Sequence, residues 1–150
     1  MDEDLAALVS RLARRLRAAE EPVLAAAGLA MWEYVVLAHL VRDAAESQQA
    51  LARTMGYDKT RLIALLDGLE GRELITRAPE PPDRRAHKVR ITPAGREHFD
   101  AAQRGIRALE EELLRPLPAA ERRTLRNSLA RLLANPIRVG STDDAPSRRL

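Results

Sequence analysis

The densest run of reactive side chains in this sequence is PPDRRAHKVRITPAG, residues 81–95, where an acid, a histidine and a group of cations follow two prolines. Positions 77–96 carry Arg77, Arg84, Arg85, Lys88, Arg90 and Arg96 against Glu80 and Asp83, six cations to two acids and a balance of +4. Of the 25 Lys and Arg and 22 Asp and Glu in the chain, 19 and 20 remain elsewhere, a balance of −1. A concentrated basic patch on an otherwise neutral chain suits an anionic partner, although charge alone does not name it. Catalysis finds little to use. His39, His87 and His98 lack the four-residue spacing of a helical metal pair, and the absence of cysteine excludes thiolate metal sites, disulfides and thiol redox chemistry. There is no glycine-rich phosphate loop and no serine set between nucleophile-elbow glycines. The carboxylates fall on amphipathic segments and read as solvated faces. These residues point away from an enzyme, and from a bound metal or cofactor, toward a binding protein.

The elements that must hold the basic run can be read from periodicity. At 150 residues, 45% of them hydrophobic, the chain makes one domain or one domain with oligomerisation arms. Its core must be aliphatic, since Trp32, Tyr34, Tyr57 and Phe99 are the only aromatics. No apolar run approaches the roughly 20 residues of a membrane span, and the N-terminus is acidic where a signal peptide would be basic. A soluble cytoplasmic protein is expected. Leu5, Leu8, Val9, Leu12 and Leu16 predict an amphipathic first helix ending before Gly28, and a second runs from about Met31 to Val41. SQQALARTMG predicts a short helix capped by Ser47 and stopped by Gly56; DKTRLIALLDGLEGRE predicts another, capped by Asp58, with Leu62, Leu65, Leu66 and Leu69 inward. Two strands follow, LITRA (74–78) and KVRIT (88–92), joined through the proline-rich tip. Thr92 caps a helix that opens on Pro93 and runs to about Leu114. Pro116 and Pro118 break it, a last helix spans about Ala119 to Leu133, and the polar stretch from Pro136 to Leu150 is expected to be disordered.

Two short helices meeting across TMGYD, with Ala52 small enough for a close crossing and Gly56 able to turn left-handed, form a helix-turn-helix. A structural hairpin has the same spacing. The following two-stranded hairpin with its basic tip makes the order that of a winged helix.

From Gly28 to Gly95 the chain resembles the multiple-antibiotic-resistance regulator (MarR) family of bacterial winged-helix transcription factors. The matching stretches are EYVVLAHL, SQQALARTMG, LIALLDGLE, LITR and above all DRRAHKVRITPAG, with its Asp, the Arg two residues on, the Val-containing strand and Thr-x-x-Gly. The resemblance implies a mainly α fold with a small β-hairpin: an N-terminal dimerisation helix (1–27), a winged helix-turn-helix DNA-binding domain (28–95), C-terminal dimerisation helices (96–135) and a tail (136–150). It implies a homodimer on double-stranded DNA, most simply a repressor on an inverted repeat that a small aromatic or anionic effector releases. A winged-helix protein-interaction module and a ligand-binding dimer without DNA affinity are the alternatives.

By position, Arg85 matches the wing arginine that enters the minor groove and Asp83 the acid that braces it. Thr60 and Arg61, beside Lys59 in the first turn of the recognition helix, match positions facing the major groove, while Ser47 and Gln48 open the helix that touches phosphate. Arg84, His87 and Lys88 complete the expected DNA contacts from the wing. The chain departs from the pattern at Ala64, often polar or basic in the family, at Glu73, where a glycine is usual, and at Pro118, in place of a Ser or Thr cap. Physically, Arg61 suits a guanine and Ala64 or Ile63 a thymine methyl, while Asp67 would repel phosphate unless an arginine of the protein pairs with it. Arg61 neutralising the Asp58 cap is the simpler alternative. Trp32 and, seven residues on, His39 are the candidate effector contacts, against a plain core or interface role for Trp32.

Overall fold

Leucines at three- and four-residue spacing organise the helices. In the computed structural model, which describes residues 3–42, 46–80, 82–135 and 137, α1 spans Leu5–Ala26, α2 Met31–Arg42, α3 Gln48–Met55, α4 Lys59–Gly71, α5 Pro93–Leu114 and α6 Ala119–Ala134. Three strands, β1 (Glu46–Ser47), β2 (Ile75–Glu80) and β3 (Asp83–Ile91), form an antiparallel sheet in the order β1-β3-β2. Two compact units divide the chain, Met1–Glu112 and Leu113–Leu150. The core of the first collects Leu24, Leu37, Leu40, Leu62, Leu66 and Val89, all essentially inaccessible, with Phe99 stacked on Tyr34 at 5.3 Å between ring centroids. In the second, α6 buries none of its side chains. No single helix among the described residues is long and apolar enough to cross a membrane. The tail expected to be disordered lies outside the described residues, Ile137 apart.

Helix starts follow the sequence closely. The Ser47 hydroxyl accepts from the Ala50 N–H at 3.0 Å, Asp58 Oδ2 accepts from the Arg61 N–H at 3.2 Å, and Thr92 Oγ1 accepts from the Gly95 N–H at 3.0 Å. Each hydroxyl or carboxylate satisfies an amide that the first helical turn leaves without a partner. α6 begins after Pro118 without a side-chain cap.

Three helix ends share one device. After α1, Gly28 (φ +74°) sends its N–H to Ala25 O while Leu29 N–H reaches back to Leu24 O; after α3, Gly56 (φ +60°) bonds Arg53 O and Tyr57 bonds Ala52 O. The same pair of bonds closes α4, from Glu73 to Glu70 O at 2.9 Å and from Leu74 to Leu69 O at 3.0 Å, with Leu69 and Leu74 both buried. This is the Schellman arrangement, whose left-handed residue is usually glycine because a Cβ crowds its own carbonyl there. Here Glu73 occupies it at φ +60°. The helix ends as it would with glycine, and the Thr92 hydroxyl donates to the Glu73 carbonyl at 2.6 Å to hold the turn.

The strands depart from the sequence reading. Pairing does not stop at Ala78 and Lys88 but continues through Pro79↔His87 to Glu80↔Asp83, so Asp83, Arg84 and Arg85 stand within β3 rather than in a loop. Pro79 can be a strand residue because β2 is an edge, where its missing N–H costs no ladder bond. Between those last two pairs β3 advances by four residues while β2 advances by one, so Arg84, Arg85 and Ala86 form an irregular bulge. The two-residue β1, pairing Glu46 with Val89 and Ser47 with Lys88, is too short to carry an alternation of its own.

One arginine fixes the hairpin on the helices. Arg77 of β2, 16% exposed, donates through Nη2 to Asp67 Oδ1 and to Glu70 Oε1 (2.9 Å), through Nη1 to Gln48 Oε1 (3.3 Å), and through its backbone N–H to Glu70 Oε2 (3.0 Å). The expected partner of Asp67 is thus Arg77. Hydrogen bonding from Arg77 holds the Glu70 carboxyl below its ordinary value, against a smaller upward push from burial. That depressed value means the stabilisation is fully present above the unfolded-state pKa and is lost as pH falls through the folded one.

Two outcomes follow for stability. Glu73→Gly should raise the unfolding free energy by about 1 kcal/mol, or roughly 2–4 °C in melting temperature, by relieving the left-handed conformation; a fall in calorimetry would show that the glutamate side chain stabilises the turn. Glu70→Gln should be less stable than the parent at pH 7, by on the order of 1 kcal/mol for so accessible a pair. Urea titrations should show the gap narrowing as pH falls below the ordinary carboxylate range, whereas a gap that does not change with pH would assign the loss to packing.

Candidate nucleic-acid interface

α3 and α4 cross at the Gly56 turn, and Tyr57 in that turn packs on Trp32 of α2 with ring centroids 4.6 Å apart. Burial of Leu62, Leu66 and Leu69 fixes the rotation of α4 about its axis. Lys59, Thr60, Arg61, Ile63, Ala64 and Asp67 are therefore exposed on the other side. Asp58 caps with its carboxylate on the backbone N–H of Arg61, and no ion pair among the described residues engages the Arg61 guanidinium. An α-helix presents partial positive charge at its N-terminus, and Lys59 and Arg61 stand at that end of α4.

The cationic run is redistributed by folding. Arg77 is neutralised by Asp67 and Glu70, and Arg96 pairs with Asp100 one turn along α5 at 3.0 Å. Two of the six cations counted toward the patch thus belong to internal ion pairs. Ser47 spends its hydroxyl oxygen on the α3 cap and Gln48 gives its amide oxygen to Arg77, so both expected phosphate contacts also have structural work. His87 and Lys88 lie on β3 opposite Pro79 and Ala78, half-buried. The side chains of Asp83, Arg84 and Arg85 are outside the described residues; their backbone forms the start of β3 and the bulge. The brace between Asp83 and Arg85 falls there too.

Trp32 and His39, the candidate effector contacts, lie outside the cleft formed between α1 and α2. Trp32, 43% exposed, lies on Tyr57, and His39 Nδ1 is 3.4 Å from Arg42 Nη2. A cleft of about 620 Å³ opens instead where α1 turns into α2, over Leu24, Leu29 and Met31, with Arg17, Glu33 and Arg72 at its edge. Arg72, just past α4, donates to the Gly28 carbonyl and pairs with Glu33 at 3.1 Å; Glu33 in turn accepts from the Ala30 N–H. From α5, His98 Nδ1 reaches the Ala27 carbonyl at 2.8 Å, which places the proton on that nitrogen because a carbonyl only accepts. Sequence periodicity has no signal for Arg72, Arg77 or His98, since each acts through a partner distant in sequence.

Comparison with known proteins bears on this geometry. Residues 27–86 match the MarR family. The uncharacterized HTH-type transcriptional regulator YdgJ of Bacillus subtilis (strain 168) is 32% identical over 89 residues, 59% of this chain and 54% of that protein. The chain spans 54–60% of the length of the curated relatives it matches first. A MarR-family transcriptional regulator from Rhodococcus sp. RHA1 superposes with a TM-score of 0.77 at 27% identity, covering 87% of this chain and 96% of its own. CouR from Rhodococcus jostii RHA1, solved bound to p-coumaroyl-CoA, gives a TM-score of 0.76 at 27% identity over 92% of this chain and 96% of its own. The chain is thus similar to the MarR family over residues 27–86 and carries the winged helix-turn-helix fold of its structural neighbours.

Proposed function

We propose that the protein is a cytoplasmic, homodimeric DNA-binding transcriptional regulator, a repressor that holds an inverted-repeat operator and is released by a small effector. The observation that carries this reading is the outer face of α4. It is exposed, rotated by its buried leucines, and bears Lys59, Thr60 and Arg61 at its N-terminal end with the wing clamped alongside through Arg77. Such a helix can enter a major groove while phosphates meet the flanking cations. Ser47 and Gln48, at the start of α3, and His87 and Lys88, on β3, are the proposed phosphate contacts.

Support for a dimer comes from apolar surface. Leu5, Leu8 and Leu12 on α1 are 69%, 45% and 40% exposed, and Leu129, Leu132 and Leu133 on α6 are also uncovered. Stripes of this kind on helices at both ends of a chain mark association surfaces. Support for an effector is the 620 Å³ cleft, apolar within and charged at its edge, a volume in the range that small ligands occupy. Its contact with Arg72 and Glu33 makes it the more direct candidate than the surroundings of Trp32 and His39. An aromatic or anionic compound suits that lining.

Gel-shift titration on the DNA upstream of the gene tests the reading: a shift lost in high salt supports it, and no shift on any duplex sinks it in favour of a protein-interaction module or a ligand-binding dimer. A two-fold dimer should protect an inverted repeat with half-site centres about 10 base pairs apart, and a footprint confined to one asymmetric half-site would contradict the dimer.

The bulge at the start of β3 places Arg84 and Arg85 at the end of the wing. A hairpin end is too narrow to read a major groove, whereas an extended arginine suits the narrow minor groove of A·T-rich tracts. Arg85→Ala should weaken binding most on operators with A·T-rich flanks, while Arg84→Ala should weaken all sequences alike and lower the salt slope by about one unit. Equal losses on A·T- and G·C-rich flanks for both variants would reduce the wing to a general phosphate contact.

A further inference from the structure

The outer face of α4 carries a feature that phosphate binding does not use. Ile63 is 36% exposed, and among the described residues it is the single large exposed hydrophobic between Trp32 and Leu129. Ala64, also exposed, stands beside it. Neither side chain is needed for the core, which takes Leu62, Leu66 and Leu69 from the same helix. The pair sits one turn from Lys59 and Arg61, and the nearest carboxylate on the same face, Asp67, is held by Arg77. The result is a small apolar patch bordered by cations.

We infer that Ile63 and Ala64 read thymine methyl groups in the major groove, so that specificity at the centre of each half-site comes from apolar contact more than from hydrogen bonds. The inference rests on the DNA-binding reading above and deepens it. The C5-methyl of thymine is the apolar projection among the major-groove base edges, and contact with small or branched apolar side chains distinguishes it from cytosine. Charge complementarity commits the face to DNA: the cations that border the patch attract phosphate, and the salt bridge of Asp67 removes the group that would oppose it. Burial of one methyl against Ile63 should contribute about a fourfold gain in affinity.

The test uses the full-length protein and duplexes that it selects from a random pool. Thymines of the selected half-site are replaced one at a time by deoxyuridine, which removes the methyl and keeps every hydrogen bond. One or two positions per half-site should then bind about fourfold more weakly. Ile63→Ala, at an exposed position that leaves the core intact, should lose a similar factor on the thymine duplex and become insensitive to deoxyuridine at the position Ile63 covers. Uniform tolerance of deoxyuridine by the parent protein would overturn the inference and leave DNA binding standing. So would an Ile63→Ala protein that remains as sensitive as the parent. Failure to enrich any duplex would instead overturn the DNA-binding reading, and this inference with it.

Discussion

Arg77 is the point on which the functional surface depends. A two-stranded hairpin has little stability of its own, and a recognition helix is useful only if its rotation and its distance from the wing are fixed. The buried leucines set the rotation and one guanidinium sets the distance, because its planar fork meets Glu70 and Asp67 on α4 and Gln48 on α3 while its own backbone N–H reaches the second oxygen of Glu70. A lysine, with a single point of charge, could not span these partners. The same contact sets the electrostatics. It withdraws one cation from the wing and one carboxylate from the exposed face of α4, so the surface offered to a polyanion is cleaner than the count of charges suggests.

Legibility from sequence divides along physical lines. α1 to α6 were readable because each is defined by neighbours three and four positions away, and α3, α4 and α5 are also bounded by residues with strong terminal preferences, as at Ser47, Gly56, Asp58 and Pro93. The hairpin was readable in existence and misjudged in extent. Prolines at 79, 81 and 82 argue against strand, yet an edge strand tolerates Pro79 without loss. β1 was invisible, since two residues that pair with a strand about forty positions away leave no periodic trace. Within the candidate site, the exposed residues of α4 followed from the leucine spacing, whereas the Arg77 network did not. Asp67 was marked as a group in need of a cation, but choosing Arg77 among the arginines required the fold.

The end of α4 illustrates how tertiary structure overrides local preference. Glu73 lies where glycine would be favoured, and the helix still closes with both bonds of the Schellman arrangement. Burial of Leu69 and Leu74 and the hydroxyl of Thr92 outweigh the crowding of one Cβ. α4 therefore ends where it does through contacts with the rest of the unit.

Gly28 has a consequence of a different order. Around it, Ala27 receives His98 from α5, Gly28 itself receives Arg72 from beyond α4, and Glu33 of α2 holds the other side of Arg72. Four helices thus meet at a single corner through directional bonds. Reorientation of α4 against α1 and α2 would cost the bonds that Arg72 makes to the Gly28 carbonyl and the Glu33 carboxylate together. One partly exposed side chain is therefore the rivet between the end of α4 and the turn that joins α1 to α2.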